Sequence, residues 1–172
     1  MVFAAGSWRS PSVEVASPES FFFPLDTIAD WHRLYGRRGL TQYQCVLPHA
    51  AGPGAVTDLV ILLREAPLPV ALCVVKDCGA AGRGLLSFPM PGLTLAADLP
   101  IGPGLQETID RLNDLVVAAG GRIYLAKDAF TRARHYRAME PRLAAWQEIR
   151  QRWNGEDAPR SALSVRLHGD PS

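Results

Sequence analysis

The spacing of apolar residues predicts strands and helices that follow one another along most of the chain. Alternating or β-branched apolar residues predict four strands, at residues 41–48, 70–77, 93–100 and 122–128. Apolar residues at helical spacing predict five helices, at residues 25–35, 53–65, 104–119, 131–139 and 141–153. We interpret 70–77 as a buried strand, because it is a short, continuous apolar run that ends at a lysine.

The central elements follow the order strand, helix, strand, strand, helix, strand. This is the order of the split βαβ arrangement in ferredoxin-like antiparallel sheets. The predicted fold class is therefore α+β, with additional flanking helices at both ends. Residues 78–92 are rich in glycine and proline and predict a long loop. The Ser- and Pro-rich residues 1–20 are interpreted as a linker remnant, and we expect one core with tails at both ends.

Composition excludes several kinds of partner and site. With 172 residues, 48% of them hydrophobic, the chain can fill one core, and its net charge of +1 offers no field for nucleic acid. The three cysteines and four histidines lack zinc-ligand spacing, so no metal is predicted, and the cysteines are interpreted as small, buried apolar side chains. No apolar run is long enough to predict a transmembrane segment, and a cytoplasmic location is expected.

Several strings of sequence together resemble one enzyme family. VVKDCG, LLSFPMPGLTLAADLPI, GGRIYLAKD and YRAMEPRLAAWQEIR resemble, in order and spacing, the C-terminal half of the decaprenylphosphoryl-ribose 2-oxidase family, and the likeness runs from about Phe21 to Leu167. Its members are FAD enzymes of the vanillyl-alcohol-oxidase superfamily, in which a substrate-binding cap domain follows the flavin domain. The resemblance implies that residues 21–168 are such a cap domain and that the FAD-binding domain is absent. The chain has no GxGxxG dinucleotide fingerprint.

The resemblance also implies a set of site residues. Lys127 matches a family lysine beside both flavin and sugar, so it is predicted to be catalytic and to contact the cofactor. Lys76 matches a lysine of the substrate pocket, and Gln44 matches a glutamine near flavin and substrate. Thr94 stands where family members carry asparagine and is assigned to the substrate. Tyr124 is assigned to the substrate as well, although its strand position fits the core equally.

The implied function is FAD-dependent oxidation of a secondary alcohol of a sugar or sugar phosphate, with the isolated chain inactive. The implied partners are an FAD-binding domain or subunit, a sugar or polyprenyl-phosphate sugar, and a reductase that completes an epimerisation for cell-wall arabinan. Ala96 replaces the family's pocket cysteine, and Glu140 replaces a tyrosine, which we interpret as a surface change. The alternatives are part of an aldonolactone oxidase, or a truncated, catalytically silent remnant or binding module. Membrane association through residues 79–92 stays open.

Overall fold

The computed structural model describes residues 17–23, 29–30, 33, 36–154 and 159–169. The chain divides into two units, Met1–Arg37 and Arg38–Ser172. In the first unit, helix α1 spans Pro18–Phe22 and is capped by the side-chain oxygen of Ser17. This helix overlaps the predicted linker remnant. The helix predicted at 25–35 lies largely outside the described residues.

The second unit contains four strands and five helices among its described residues. The strands are β1 (Leu40–Pro48), β2 (Leu72–Cys78), β3 (Gly92–Pro100) and β4 (Arg122–Ile123). The helices are α2 (Gly52–Glu65), α3 (Leu105–Ala118), α4 (Ala133–Met139), α5 (Leu143–Asn154) and α6 (Ala162–His168). Short 3₁₀ turns are His49–Ala51, before α2, and Leu125–Lys127, after β4.

All strand pairs are antiparallel, and the strand order across the sheet is β2-β3-β1-β4. Helix α2 connects β1 to β2, and helix α3 connects β3 to β4. This is the order of a ferredoxin-like sheet. The predicted α+β class and split βαβ arrangement are therefore confirmed. None of the described helices is long and apolar enough to cross a membrane.

The core lies between one face of the sheet and helices α2 and α3. Tyr43, Cys45 and Leu95 are buried on this face of the sheet, and Leu59 of α2 and Leu112 of α3 belong to the same cluster. Each large apolar side chain contributes roughly 1.5–3 kcal/mol by leaving water. The opposite face, here called the open face, presents the partly or largely exposed side chains of Gln42, Gln44, Leu72, Val74, Lys76 and Ala96, and between them the buried side chains of Val46, Thr94 and Asp98.

Strand β2 forms an exposed edge of the sheet, so the prediction of a buried strand is wrong. Leu72, on the open face, is 47% exposed, and Val75, on the other face, is 46% exposed. Helices α2 and α3 pack over β1 and therefore leave β2 uncovered. The apolar run indicates a strand, but its periodicity contains no information on which strand the helices cover.

The last predicted strand, 122–128, pairs only at its beginning. The Tyr124 N–H still donates to the Gln44 carbonyl oxygen at 2.8 Å, but β4 itself ends at Ile123. The chain then forms a 3₁₀ turn in which the Lys127 N–H donates to the Tyr124 carbonyl oxygen at 3.1 Å. Hydrogen bonds within the turn replace the hydrogen bonds between strands. The prediction of a strand that extends to residue 128 is therefore wrong.

Helix α6 lies in a segment that the sequence analysis assigns to a tail. Ser161 and Ser164 form a capping box at its start, and Gly169 adopts the left-handed conformation, with φ 79°, just after its end. Leu167 is fully buried in the core. The serine cap, the helical spacing of Leu163 and Leu167, and the final glycine are sequence signals for this helix that the prediction missed.

Burial keeps the thiol of Cys45 protonated. Cys45 is fully buried, as predicted, and this burial raises its pKa from 9.0 to about 12, whereas Cys73 is exposed on β2, against the prediction. The folded pKa is higher than the unfolded one. The stability that this difference contributes is therefore complete below pH 9 and is lost as the pH rises toward 12.

We expect the free energy of unfolding to fall by roughly 1 kcal/mol per pH unit above pH 9 because of this thiol. Urea titrations over that pH range should give a shallower decline for Cys45→Ala than for the wild type. The control is Val46→Ala, which removes fully buried volume from the same strand but no ionisable group, and it should keep the wild-type slope. The same slope in all three proteins would contradict the expectation.

Candidate functional site

The strand register brings three predicted site residues to the open face. Val46 of β1 lies opposite Thr94 of β3, and Thr94 lies opposite Lys76 of β2. Gln44 precedes Val46 by two residues, so both side chains point to the same face of the sheet. Gln44, Thr94 and Lys76 therefore lie on one face across three adjacent strands.

Hydrogen bonds fix the polar side chains of the open face. Gln44 Nε2 donates to Thr94 Oγ1 at 3.1 Å, and Thr94 Oγ1 donates to the Cys45 carbonyl oxygen at 2.8 Å. Gln42 Nε2 donates to Asp98 Oδ1 at 2.9 Å in the same way. No donor from the described residues reaches the Gln44 amide oxygen. This oxygen is therefore available to accept a hydrogen bond from a ligand.

Tyr124 lies directly after β4, where a loop packs against it. Its ring contacts the ring of Phe88, with centroids 4.7 Å apart and planes tilted by 39°. Phe88 belongs to the loop between β2 and β3. Arg122 and Arg142 fix this loop, because they donate to the Ser87 carbonyl oxygen at 2.8 and 3.1 Å. Tyr124 itself is half-buried, and so it lies at the boundary between the core and the surface.

The chain has only two lysines among its 18 basic residues, and both belong to the predicted site. Lys76 is exposed on β2, and Lys127 is half-buried in the 3₁₀ turn, which packs beside β1. Within the described residues, neither ammonium group has a hydrogen-bond or ion-pair partner. A lysine ammonium is a compact cation with three donors. Both groups are therefore available to the oxygen atoms of a ligand.

An ion pair between a buried aspartate and a half-buried arginine holds the backbone that follows Lys127. The Asp128 side chain is 4% exposed and accepts from Arg166 Nη2 at 2.9 Å. The same carboxylate accepts the backbone N–H groups of Phe130 at 3.3 Å and Thr131 at 2.9 Å. Arg166, which belongs to α6, also donates to the Thr131 carbonyl oxygen. These bonds fix the end of the turn that contains Lys127.

Sequence reasoning missed both members of this ion pair. Asp128 accepts hydrogen bonds from the N–H groups two and three residues later. Aspartate commonly does so in turns, so the sequence could have indicated this contact. Its partner Arg166 lies 38 residues further along the chain, in the helix that was assigned to a tail. A contact between distant segments leaves no periodic signal, so the pair could be found only in the structure.

Glu140 is buried, so its interpretation as a surface change is wrong. The residue is 5% exposed, and its two carboxylate oxygens accept from Arg142 Nε at 2.7 Å and Nη2 at 2.8 Å. Arg142 also binds the Ser87 carbonyl oxygen. Glu140 therefore orients an arginine that anchors the loop beside Tyr124.

The structure thus brings Gln44, Thr94 and Lys76 together on the open face, with Tyr124 at its β4 end and Lys127 in the turn that follows. Where the chain is described, no three side chains of the histidine, cysteine, aspartate or glutamate type are grouped so as to hold a metal ion. The arrangement offers two free cations, one free amide oxygen and an aromatic ring. Such groups are suited to a ligand rich in hydroxyl or anionic oxygens.

These features define an α+β domain with a ferredoxin-like sheet, whose open face carries amides, a lysine and apolar side chains. No family model matches the chain. The chain is 35% identical over 163 residues to the decaprenylphosphoryl-β-D-ribose oxidase of Mycolicibacterium smegmatis, covering 95% of this chain and 35% of the oxidase. It is 31% identical over 144 residues to an uncharacterized protein in the mprA 5′ region of Streptomyces coelicolor, covering 83% of this chain and 39% of that protein.

The chain therefore spans 35% and 39% of the lengths of these two relatives. The resemblance to the decaprenylphosphoryl-ribose oxidase family is confirmed, and it concerns a part of such a protein.

Proposed function

We propose that this chain is the substrate-binding C-terminal part of an FAD-dependent oxidoreductase that oxidises a secondary alcohol of a sugar or sugar phosphate. The observation that carries the proposal is the shared open face of Gln44, Thr94 and Lys76. The oxidase from M. smegmatis, whose name specifies decaprenylphosphoryl-ribose, supports this class of substrate. In this proposal residues 21–168 are the cap domain, and FAD is held mainly by a domain or subunit outside this chain.

The open face fits the flat ring of a flavin rather than its dinucleotide end. Ala96 lies between Gln44 and Val74 in one row across the strands, and Ala96 and Val74 are half-buried. They offer a small apolar surface to a ring, while Gln44 and Lys76 offer polar groups to its edge. The chain lacks a glycine-rich turn that opens a helix for the pyrophosphate. When bound, FAD supplies the acceptor for the hydride of the alcohol.

Lys127 acts on the reacting hydroxyl in this proposal. Its unpartnered ammonium would donate a hydrogen bond to the hydroxyl oxygen, orient it toward the flavin and stabilise negative charge that develops on it. Lys76 and the free amide oxygen of Gln44 bind other oxygens of the sugar and orient it. Thr94 contributes by holding the Gln44 amide, and Tyr124 contributes an aromatic ring at the β4 end of the open face.

The partners belong to the same proposal. A flavin-binding domain or subunit covers the open face, a sugar or polyprenyl-phosphate sugar is the substrate, and a reductase consumes the oxidised product. The chain by itself is inactive, because the open face provides only one wall of a site from which water must be excluded. A cytoplasmic location is also proposed.

The test is flavin retention by the full chain. The purified chain is incubated with FAD, alone or with the part of the M. smegmatis oxidase that it does not match, and the visible spectrum is recorded after gel filtration. We expect flavin absorbance in the mixture at the elution volume of a complex, and none with the chain alone. Flavin kept by the chain alone, or by neither sample, would contradict the proposal, and the second result would favour a silent binding module.

Two substitutions to glutamate test whether the open face is the surface that contacts the flavin-binding part. Val74→Glu introduces a carboxylate on the open face and should prevent the complex from forming. Arg111→Glu introduces the same side chain at an exposed position of α3, on the opposite side of the sheet. This variant should still form the complex. Loss of the complex in both variants, or in neither, would contradict docking through the open face.

A further inference from the structure

Helix α5 leaves an apolar stripe uncovered at the surface. Within the helix only Leu143 is buried, and the Trp146 ring packs against the His168 ring of α6, with centroids 4.6 Å apart. Ile149 and Trp153, one turn apart on the same side of the helix, are 46% and 81% exposed. Large apolar side chains gain free energy when a partner covers them, so a helix that exposes two in succession indicates a binding surface.

Arginine side chains border this stripe. Arg152 is exposed beside Trp153, and the guanidinium carbon of Arg150 lies 5.5 Å from the centroid of the Trp146 ring. The one acidic residue of α5 is Glu148, five positions before Trp153, which places it about 140° around the helix from the tryptophan. The exposed apolar side chains of α5 therefore have cations as their charged neighbours, with the carboxylate on another side.

Basic residues are concentrated in the part of the chain to which α5 belongs. Residues 122–169 contain ten basic and five acidic residues, whereas residues 40–121 contain four basic and seven acidic ones. Two of the five acidic residues, Asp128 and Glu140, have buried side chains that are paired with arginines. This asymmetry within a nearly neutral chain indicates that the C-terminal part faces an anionic partner.

We propose that α5 binds the surface of an anionic lipid bilayer, with Ile149 and Trp153 inserted among the head groups and Arg150 and Arg152 facing the lipid phosphates. Tryptophan is favoured at this depth because its ring is apolar while its N–H can still donate a hydrogen bond. Arginine keeps its methylene groups against the apolar layer while the guanidinium group reaches the phosphates. A helix bound in a protein groove uses about four apolar anchors, whereas α5 exposes two large ones.

Binding through one short helix is expected to be weak and reversible. It would hold the chain at the surface in which a polyprenyl-phosphate sugar is anchored by its lipid. This consequence alone rests on the proposed function, because lipid binding by α5 requires neither flavin nor substrate.

The test is vesicle cosedimentation of the full chain without flavin or any partner, at about 0.1 M salt. The vesicles contain either equal parts of phosphatidylglycerol and phosphatidylcholine or phosphatidylcholine alone. We expect the chain to bind the anionic vesicles at least about tenfold more tightly than the neutral ones. Trp153→Ser should weaken binding about tenfold, and Arg152→Gln should weaken it about fivefold.

Matched controls place the same substitutions elsewhere on the surface. Ile149→Ser should weaken vesicle binding, whereas Ile61→Ser, at an exposed isoleucine of α2, should bind as the wild type does. Arg111→Gln, at an exposed position of α3, is the control for Arg152→Gln. All these side chains are exposed, so the variants should fold, and circular dichroism verifies that they do.

Absence of binding to the anionic vesicles, or equal binding to both kinds of vesicle, would overturn the proposal. Equal binding by Trp153→Ser and the wild type would overturn it as well. If Trp153→Ser instead prevented the complex with the flavin-binding part and left vesicle binding unchanged, the stripe would be an interface between domains. Flavin retention is measured separately, so failure of the proposed function remains distinguishable.

Discussion

Replacing Arg166 by methionine is expected to lower the free energy of unfolding by about 2–3 kcal/mol, because a buried carboxylate loses its cation but keeps two backbone N–H donors. The substitution leaves the Asp128 carboxylate, 4% exposed, without its cation, and it also removes the bond to the Thr131 carbonyl oxygen. Urea unfolding monitored by circular dichroism measures the change. Arg160→Met, at an exposed position just before α6, is the matched control and should change stability by less than about 0.5 kcal/mol.

A double variant separates the charge from the shape of the side chains. Asp128→Asn keeps the size of the side chain but removes the charge that Arg166 neutralises. In Asp128→Asn combined with Arg166→Met, no buried charge is left unpaired, so the combined loss should be smaller than the sum of the two single losses. Additive losses, or a loss below about 1 kcal/mol for Arg166→Met, would contradict the assignment of a stabilising ion pair.

The second large effect is expected for Lys127→Met in the flavin-containing complex. Methionine preserves most of the side-chain length but cannot donate to the reacting oxygen, so kcat should fall by about 100- to 1000-fold, as on loss of one transition-state donor. KM should change much less, because the lysine acts mainly on charge that develops in the transition state. Stopped-flow reduction of the bound flavin by substrate measures the chemical step directly.

Lys76→Met is the matched control because it removes the only other lysine of the chain. Lys76 is proposed to orient the substrate, so its loss should raise KM more than it lowers kcat. Circular dichroism and flavin content establish that both complexes are intact. Equal kinetic effects of the two substitutions, or an unchanged kcat in Lys127→Met, would contradict the catalytic role of Lys127.

Local patterns predicted most of the sheet and its covering helices. Strands β1 and β3 alternate clearly because one of their faces is buried by α2 and α3, and α3 ends where glycines follow its apolar stripe. The same patterns failed for the burial of β2. Its β-branched residues fit a strand equally well at the centre or at the edge of a sheet, and only the placement of the helices decides between these positions.

The candidate site was predicted by resemblance, and its organisation required the structure. The strand order is what brings Lys76 beside Thr94, since these residues belong to different strands of the chain. The positions of Lys127 and Glu140 depend on Arg166 and Arg142, and such contacts leave no periodic trace in the sequence. Helix α6, in contrast, could have been predicted from the sequence, because a serine cap marks its start and a glycine marks its end.

The fastening of the Lys127 turn by α6 has a consequence for the synthesis of this protein on the ribosome. Residues emerge in chain order, and the arginine that fixes the turn follows its aspartate by 38 positions. All four strands and helices α2 and α3 can therefore assemble in the nascent chain while the backbone after Lys127 still lacks its anchor. A translational pause after Asp128 and before Arg166 would expose a folded sheet, with the Lys127 turn not yet fixed, to chaperones and proteases.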